Sequence, residues 1–153
     1  MTLPRLLVLA AACIAPLAAI GCGKPAMVAV KCKVMHDGKP VDNCKVAFVQ
    51  DVEPFDAKVH GYGYGNTDAN GECEIAHPMT GEKGLFPGTY KVTFEAWKNK
   101  RGKSVPPTEK PSEVEGGVSD RLPPILKSIG STTERFTVPK GAAVDHTFTI
   151  AGK

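Results

Sequence analysis

The chain is 153 residues long, with 19 Lys and Arg against 16 Asp and Glu and a formal net charge of +3 at pH 7. That balance is far from the basic footprint of a nucleic-acid binder, and no nucleic-acid partner is expected. Its 16 glycines and 13 prolines punctuate the chain too often for long helices and suit a fold rich in turns.

Arg5 precedes an apolar stretch at residues 6–20 that closes on Gly21. A secretory signal has this layout: a basic start, about 7–15 apolar residues and a small residue at the cut. Pro16 interrupts the run and Lys24 follows it, so it falls short of the roughly 20 residues of a membrane-spanning helix. Leu17-Ala18-Ala19-Ile20-Gly21-Cys22 resembles a bacterial lipobox, in which the chain is cut before the cysteine and that residue is acylated. The resemblance implies a signal peptide at residues 1–21 and a tether at 22–27. It also implies palmitate-type chains on Cys22 that hold the protein to the bacterial cell envelope, on the extracytoplasmic side. Two or more acyl chains anchor stably where one binds only marginally. Ala19 stands where such motifs prefer leucine, and an ordinary secretory cut nearby is the alternative. Removing 21 of the 153 residues leaves 132 and lowers the charge to +2, because Arg5 is the one charge lost. That length suffices for one domain, residues 28–153, burying roughly two-thirds of its unfolded surface.

Residues 26–35 alternate, with Val28, Val30, Cys32 and Val34 on one face and Lys31 and Lys33 on the other; a period of two predicts a half-buried strand. His36-Asp37-Gly38-Lys39-Pro40 is a turn, and Cys44, Val46 and Phe48 line a second strand. A third spans 58–66, where Gly61-Tyr62-Gly63-Tyr64-Gly65 places two rings on one face and leaves the other bare. It lacks the spacing and the following helix of a dinucleotide loop. Thr67-Asp68-Ala69-Asn70-Gly71 turns into a fourth strand at 72–76, where Cys73 and Ile75 share a face. Residues 89–97 form a fifth, with Tyr90, Val92 and Phe94 inward. The last two are 135–138 and 144–150. Seven short strands and no convincing helix predict an all-β, seven-stranded, immunoglobulin-like or prealbumin-like β-sandwich. Residues 99–130, with five prolines and little alternation, read as a long loop. Within it, Leu122-Pro123-Pro124-Ile125-Leu126 is expected to dock on the sandwich, and Lys98–Lys103 is read as a solvated basic run.

Few residues point to chemistry. Cys32 with His36, and Cys73 with His77, are each four apart. On a strand that is about 13 Å, whereas zinc bonds to sulfur or nitrogen are about 2.0–2.3 Å. Neither pair can hold a metal alone, so no metal or cofactor is expected. Asp68, Asn70 and Glu72 are too few oxygen ligands for a calcium loop and read as turn-makers. His60 and His146 stand apart from any recognisable nucleophile. Tyr62, Tyr64 and Trp97 are the candidate ligand-contact aromatics, able to stack on sugars. Of five cysteines, Cys13 departs with the signal and Cys22 takes lipid. Cys32, Cys44 and Cys73 then allow one disulfide and one free thiol in an oxidising compartment.

Asp37-Gly38-Lys39-Pro40-Val41, Cys44-Lys45-Val46-Ala47-Phe48, Thr67-Asp68-Ala69-Asn70-Gly71-Glu72 and Pro87-Gly88-Thr89-Tyr90-Lys91-Val92 resemble the carboxypeptidase regulatory-like domains. These are transthyretin-like, prealbumin-type sandwiches common in bacterial envelope lipoproteins. Phe136-Thr137-Val138-Pro139-Lys140-Gly141 and Thr147-Phe148-Thr149-Ile150 resemble their closing hairpin. The likeness spans 28–97 and 133–150 and concerns shape. It implies a Cys32–Cys73 bridge, because related sequences place glycine at the first position and a covering aromatic at the second, with Cys44 buried and free. A Cys32–Cys44 bridge is the alternative. The hydroxyisourate hydrolases of similar fold end in Tyr-Arg-Gly-Ser, whereas this chain ends in Ile150-Ala151-Gly152-Lys153, so that activity is not expected. The expectation is a non-catalytic, lipid-anchored module with a structural or protein-interaction role, whose partners are the membrane, through its lipid, and an envelope protein or glycan. A carbohydrate-binding accessory module is the alternative, and an enzyme with a site in 99–130 is the remoter one.

Overall fold

The alternation at residues 26–35 becomes a strand in the computed structural model of the protein, which describes residues 25–57 and 59–152. Residues 1–24, on which the expected signal and Cys22 fall, lie outside that part. This strand, β1 (Val30–His36), buries Val30, Cys32 and Val34 and turns Lys31 and Lys33 away from the core. The chain continues through β2 (Lys39–Pro40), β3 (Lys45–Gln50), β4 (Tyr62–Asn66), β5 (Glu72–Glu74) and β6 (Gly88–Glu95). Then come β7 (Trp97–Asn99), β8 (Ser104–Val105), β9 (Val118–Asp120), β10 (Arg135–Val138) and β11 (Val144–Ile150). Among the described residues the one helical piece is a 3-10 turn at Pro124–Leu126, and the fold is all-β.

Among the described residues eleven strands stand in place of the expected seven. Seven of them coincide with the alternating segments. The additional β2, β7, β8 and β9 are two or three residues long, too short for a period of two to register.

The strands form three sheets. In the first, β1 lies between parallel β11 and two short antiparallel partners, β5 and β2, which share its other edge. The second is antiparallel throughout, in the order β10-β6-β3-β4. Its inward residues, Val46 and Phe48 of β3 with Tyr90, Val92 and Phe94 of β6, are fully buried. Phe148 of β11 reaches across from the first sheet to Phe94, Phe48 and Phe136, with ring centroids 5.1, 6.0 and 6.0 Å apart. One continuous core therefore joins the two sheets, an arrangement consistent with a β-sandwich.

The bare face of β4 is used for close approach. A Cβ on Gly65 would lie 2.6 Å from the Glu74 carbonyl oxygen and 3.2 Å from the Cys73 Cβ, so β5 packs directly on the strand backbone. Tyr90 covers Gly61 in the same way, its hydroxyl donating to the Phe86 carbonyl at 2.7 Å. A tyrosine bonded back to the backbone four residues upstream resembles the corner that fixes strand entry in many sandwiches.

Residues 99–130 are more regular than a loop. The third sheet, β8-β7-β9, is built from this region, with Trp97 opposite both Val105 and Asp120. Its strands are too short and too proline-flanked to announce themselves. Leu122 and Leu126 enter the core, while Ile125 between them is exposed. Arg121 pins the region to the turn before β3, donating to the Asp42 carboxylate at 2.8 Å and to its carbonyl at 2.7 Å. The Ser104 hydroxyl bonds the same carboxylate. Burial alone would push Asp42 up, but Ser104 and Arg121 outweigh it and hold the carboxyl below its ordinary value of 3.8. A depressed carboxylate stabilises the fold above its unfolded-state pKa, and that contribution is lost as pH falls through the folded value. Because the pair is partly exposed, Arg121→Ala should cost about 1 kcal/mol near pH 7. The difference should vanish well below the carboxyl's usual range, which urea midpoints measured at the two pH values would check.

Candidate functional site

Cys32 and Cys73 are direct register partners across β1 and β5. The flanking bonds, Ile75 N–H to the Val30 carbonyl at 2.9 Å and Val34 N–H to the Gly71 carbonyl at 2.8 Å, mark theirs as a hydrogen-bonded pair. Such pairs hold their Cα atoms about 5.5 Å apart. The two sulfurs are 3.0 Å apart, both as free thiols. The expected bridge between them is not shown. The Cys73 hydrogen bond and burial hold the Cys32 thiol well above the ordinary thiol range. Cys44 is fully buried immediately before β3, its thiol lying toward the Lys45 carbonyl, and burial pushes it up to about 12. Both buried thiols are therefore protonated at neutral pH. Cys73 is only half-buried, and the pair lines a cleft of about 300 Å³ flanked by Lys31, Lys33, Glu72 and Asp145.

The other expected residues are dispersed. Tyr62 and Tyr64 share the outer face of β4, both half-buried, with the Lys45 ammonium 5.2 Å from the Tyr64 ring centre. Trp97 is on β7 in a different sheet, and among the described ring contacts none joins it to either tyrosine. His36 bonds the Ile150 carbonyl through Nδ1 at 3.1 Å, and His60 Nδ1 accepts from the Asp56 N–H at 2.9 Å. His146 stacks beside Phe136 and Phe148, at 4.7 and 4.6 Å. His77 Nδ1 faces the N–H groups of Met79 and Thr80. Among the described residues no three acidic, histidine or cysteine side chains gather as a metal site. Asp68 works as a turn-maker, its Oδ1 accepting from the N–H groups of Asn70 and Glu72 at 2.8 and 2.9 Å.

The outer edge of β11 was not legible as a site. β11 ends its sheet and pairs only with β1 among the described residues. Val144 donates to the Ala29 carbonyl at 2.8 Å, and Asp37 donates to the Ile150 carbonyl at 3.3 Å. Successive backbone groups alternate sides, so 144, 146, 148 and 150 face β1. Asp145, Thr147 and Thr149 then point their N–H and C=O groups outward. No periodicity marks such an edge, because strand order is a property of the assembled sheet.

Comparison with known proteins identifies no relative: no family model, no curated protein and no solved structure matches the chain. The class that can be stated is that of an all-β protein whose two larger sheets share one core.

Proposed function

We propose that the protein is a non-catalytic, transthyretin-like sandwich of the carboxypeptidase regulatory-like kind, tethered by acylated Cys22 on the extracytoplasmic side of a bacterial membrane. There it binds another envelope protein by adding that partner's strand to β11. The observation that carries the interaction is the open edge of β11, seven residues long, with Asp145, Thr147 and Thr149 directed outward. An unpaired edge is a template for another strand. The non-catalytic reading is supported by the histidines, whose ring atoms are engaged in backbone bonds or stacking.

The proposal includes a Cys32–Cys73 bridge in the oxidising envelope. Each thiol loses its proton, the two sulfurs join, and two electrons pass to a disulfide-bearing oxidant of that compartment. Support comes from the facing register, from a separation of about 5.5 Å for such pairs, and from the 4.4–6.8 Å over which disulfides form.

A photo-crosslinking side chain at Thr149 of the full-length protein tests the edge in cells. A discrete adduct with one envelope protein is expected. Thr147→Pro should weaken it about tenfold, the worth of one ladder hydrogen bond at ~1.4 kcal/mol, and Thr147→Val should leave it intact. Proline is tolerated on an edge, and the lost N–H faces away from β1. An adduct equally strong in Thr147→Pro would refute the proposed mode.

A further inference from the structure

Three of the exposed large apolar residues, Phe55, Val59 and Met79, collect at one end of the fold. Val59 and Met79 are 70% and 87% exposed. They border a groove of about 770 Å³ whose walls include Pro25, Met27 and Phe86. Phe55 leans on this rim through His60, their rings 5.8 Å apart. The same end holds the start of β6 and the end of β3, since Pro87 and Gln50 also line the groove.

Pro25 decides what covers it. Only Gly23 and Lys24 lie between Cys22 and Pro25, a distance of three chain steps, and an extended chain spans at most about 3.6 Å per step. Chain length alone therefore keeps the Cys22 Cα within roughly 11 Å of Pro25, and an acyl chain on its sulfur within reach of the groove. We propose that this groove face is a membrane-contact surface. Met79 and Val59 enter the boundary between headgroups and acyl chains, and the fold stands on the bilayer by this end. An acyl anchor alone would leave the domain free to rotate, whereas apolar side chains buried in the interface fix its orientation. The opposite end, where β3 begins and β6 ends, then points away from the membrane. The inference rests on the acylation of Cys22 proposed above and adds the orientation.

Trp97, the single tryptophan, supplies an internal control. It follows the end of β6, whose eight residues span about 26 Å from the groove end at ~3.3 Å each. The experiment uses the full-length, processed protein in phosphatidylcholine–phosphatidylglycerol vesicles whose acyl chains are brominated, a contact quencher of tryptophan. Wild-type Trp97 should be unquenched, and Met79→Trp, a change at an exposed position, should add a component that the brominated lipid quenches strongly. Hydrogen exchange of residues 55–57 and 77–80 should slow on incorporation. A Met79→Trp signal no more quenched than Trp97, in protein that carries acyl chains on Cys22 by intact mass and remains with the vesicles, would overturn the membrane face alone. An intact mass without acylation would overturn the anchor, and the orientation with it.

Discussion

Phe48→Ala is expected to lower stability by about 3–5 kcal/mol, the usual cost of removing a buried phenylalanine. The ring is fully buried on β3, and it meets Tyr90 and Phe136 of its own sheet at 6.2 and 6.0 Å and Phe148 of the other sheet at 6.0 Å. Edge-on aromatic pairs add about 0.5–1.5 kcal/mol beyond burial, and the cavity would open where the sheets meet, with backbone on both sides resisting collapse. Since a domain of this size is stable by only about 5–15 kcal/mol, the loss is a large fraction of the total. Urea unfolding followed by Trp97 fluorescence would measure it. A loss below about 1 kcal/mol would mean that Phe48 does not join the two sheets.

The second large effect concerns the paired thiols. Oxidised protein should carry a Cys32–Cys73 link, seen as one cross-linked peptide pair in a non-reduced digest, with Cys44 unmodified. The link closes a loop between residues 41 apart, for which chain entropy alone amounts to about 3–4 kcal/mol. Cys73→Ser should therefore melt about 10–15 °C below the oxidised wild type, at roughly 3–5 °C per kcal/mol for this length. Reduced wild type should melt close to the variant. A Cys32–Cys44 peptide, or equal melting of oxidised and reduced protein, would exclude the proposed bridge.

Side-chain alternation made seven strands visible, because one buried face imposes a period of two; for the three-residue β5 it was read over the wider segment 72–76, where Cys73 and Ile75 share a face. It is clearest at Val30-Lys31-Cys32-Lys33-Val34 and Tyr90-Lys91-Val92-Thr93-Phe94. The Gly-Tyr alternation of β4 likewise told of a bare face, and Gly63 and Gly65 are where Ile75, Leu85 and the β5 backbone approach. The three-stranded β7–β9 sheet could not be read, since strands of two or three residues carry no pattern and are held by pairing alone. Nor could the parallel pairing of β1 with β11, which depends on which edges remain free once the antiparallel pairs have formed. The Arg121–Asp42 contact joins residues 79 apart and leaves no local trace. The facing of Cys32 and Cys73 was indicated by resemblance to a family pattern rather than by spacing, and the structure makes the two residues direct register partners.

Attachment through the thiol that follows Gly21 is the claim on which the envelope role stands. Fractionation of cells expressing full-length wild type and Cys22→Ser tests it most directly. The wild type should sediment with membranes, resist high salt and be released only by detergent, while Cys22→Ser should be recovered in the soluble extracytoplasmic fraction. Cys22→Ser protein that stays with the membranes through the same washes would contradict the account.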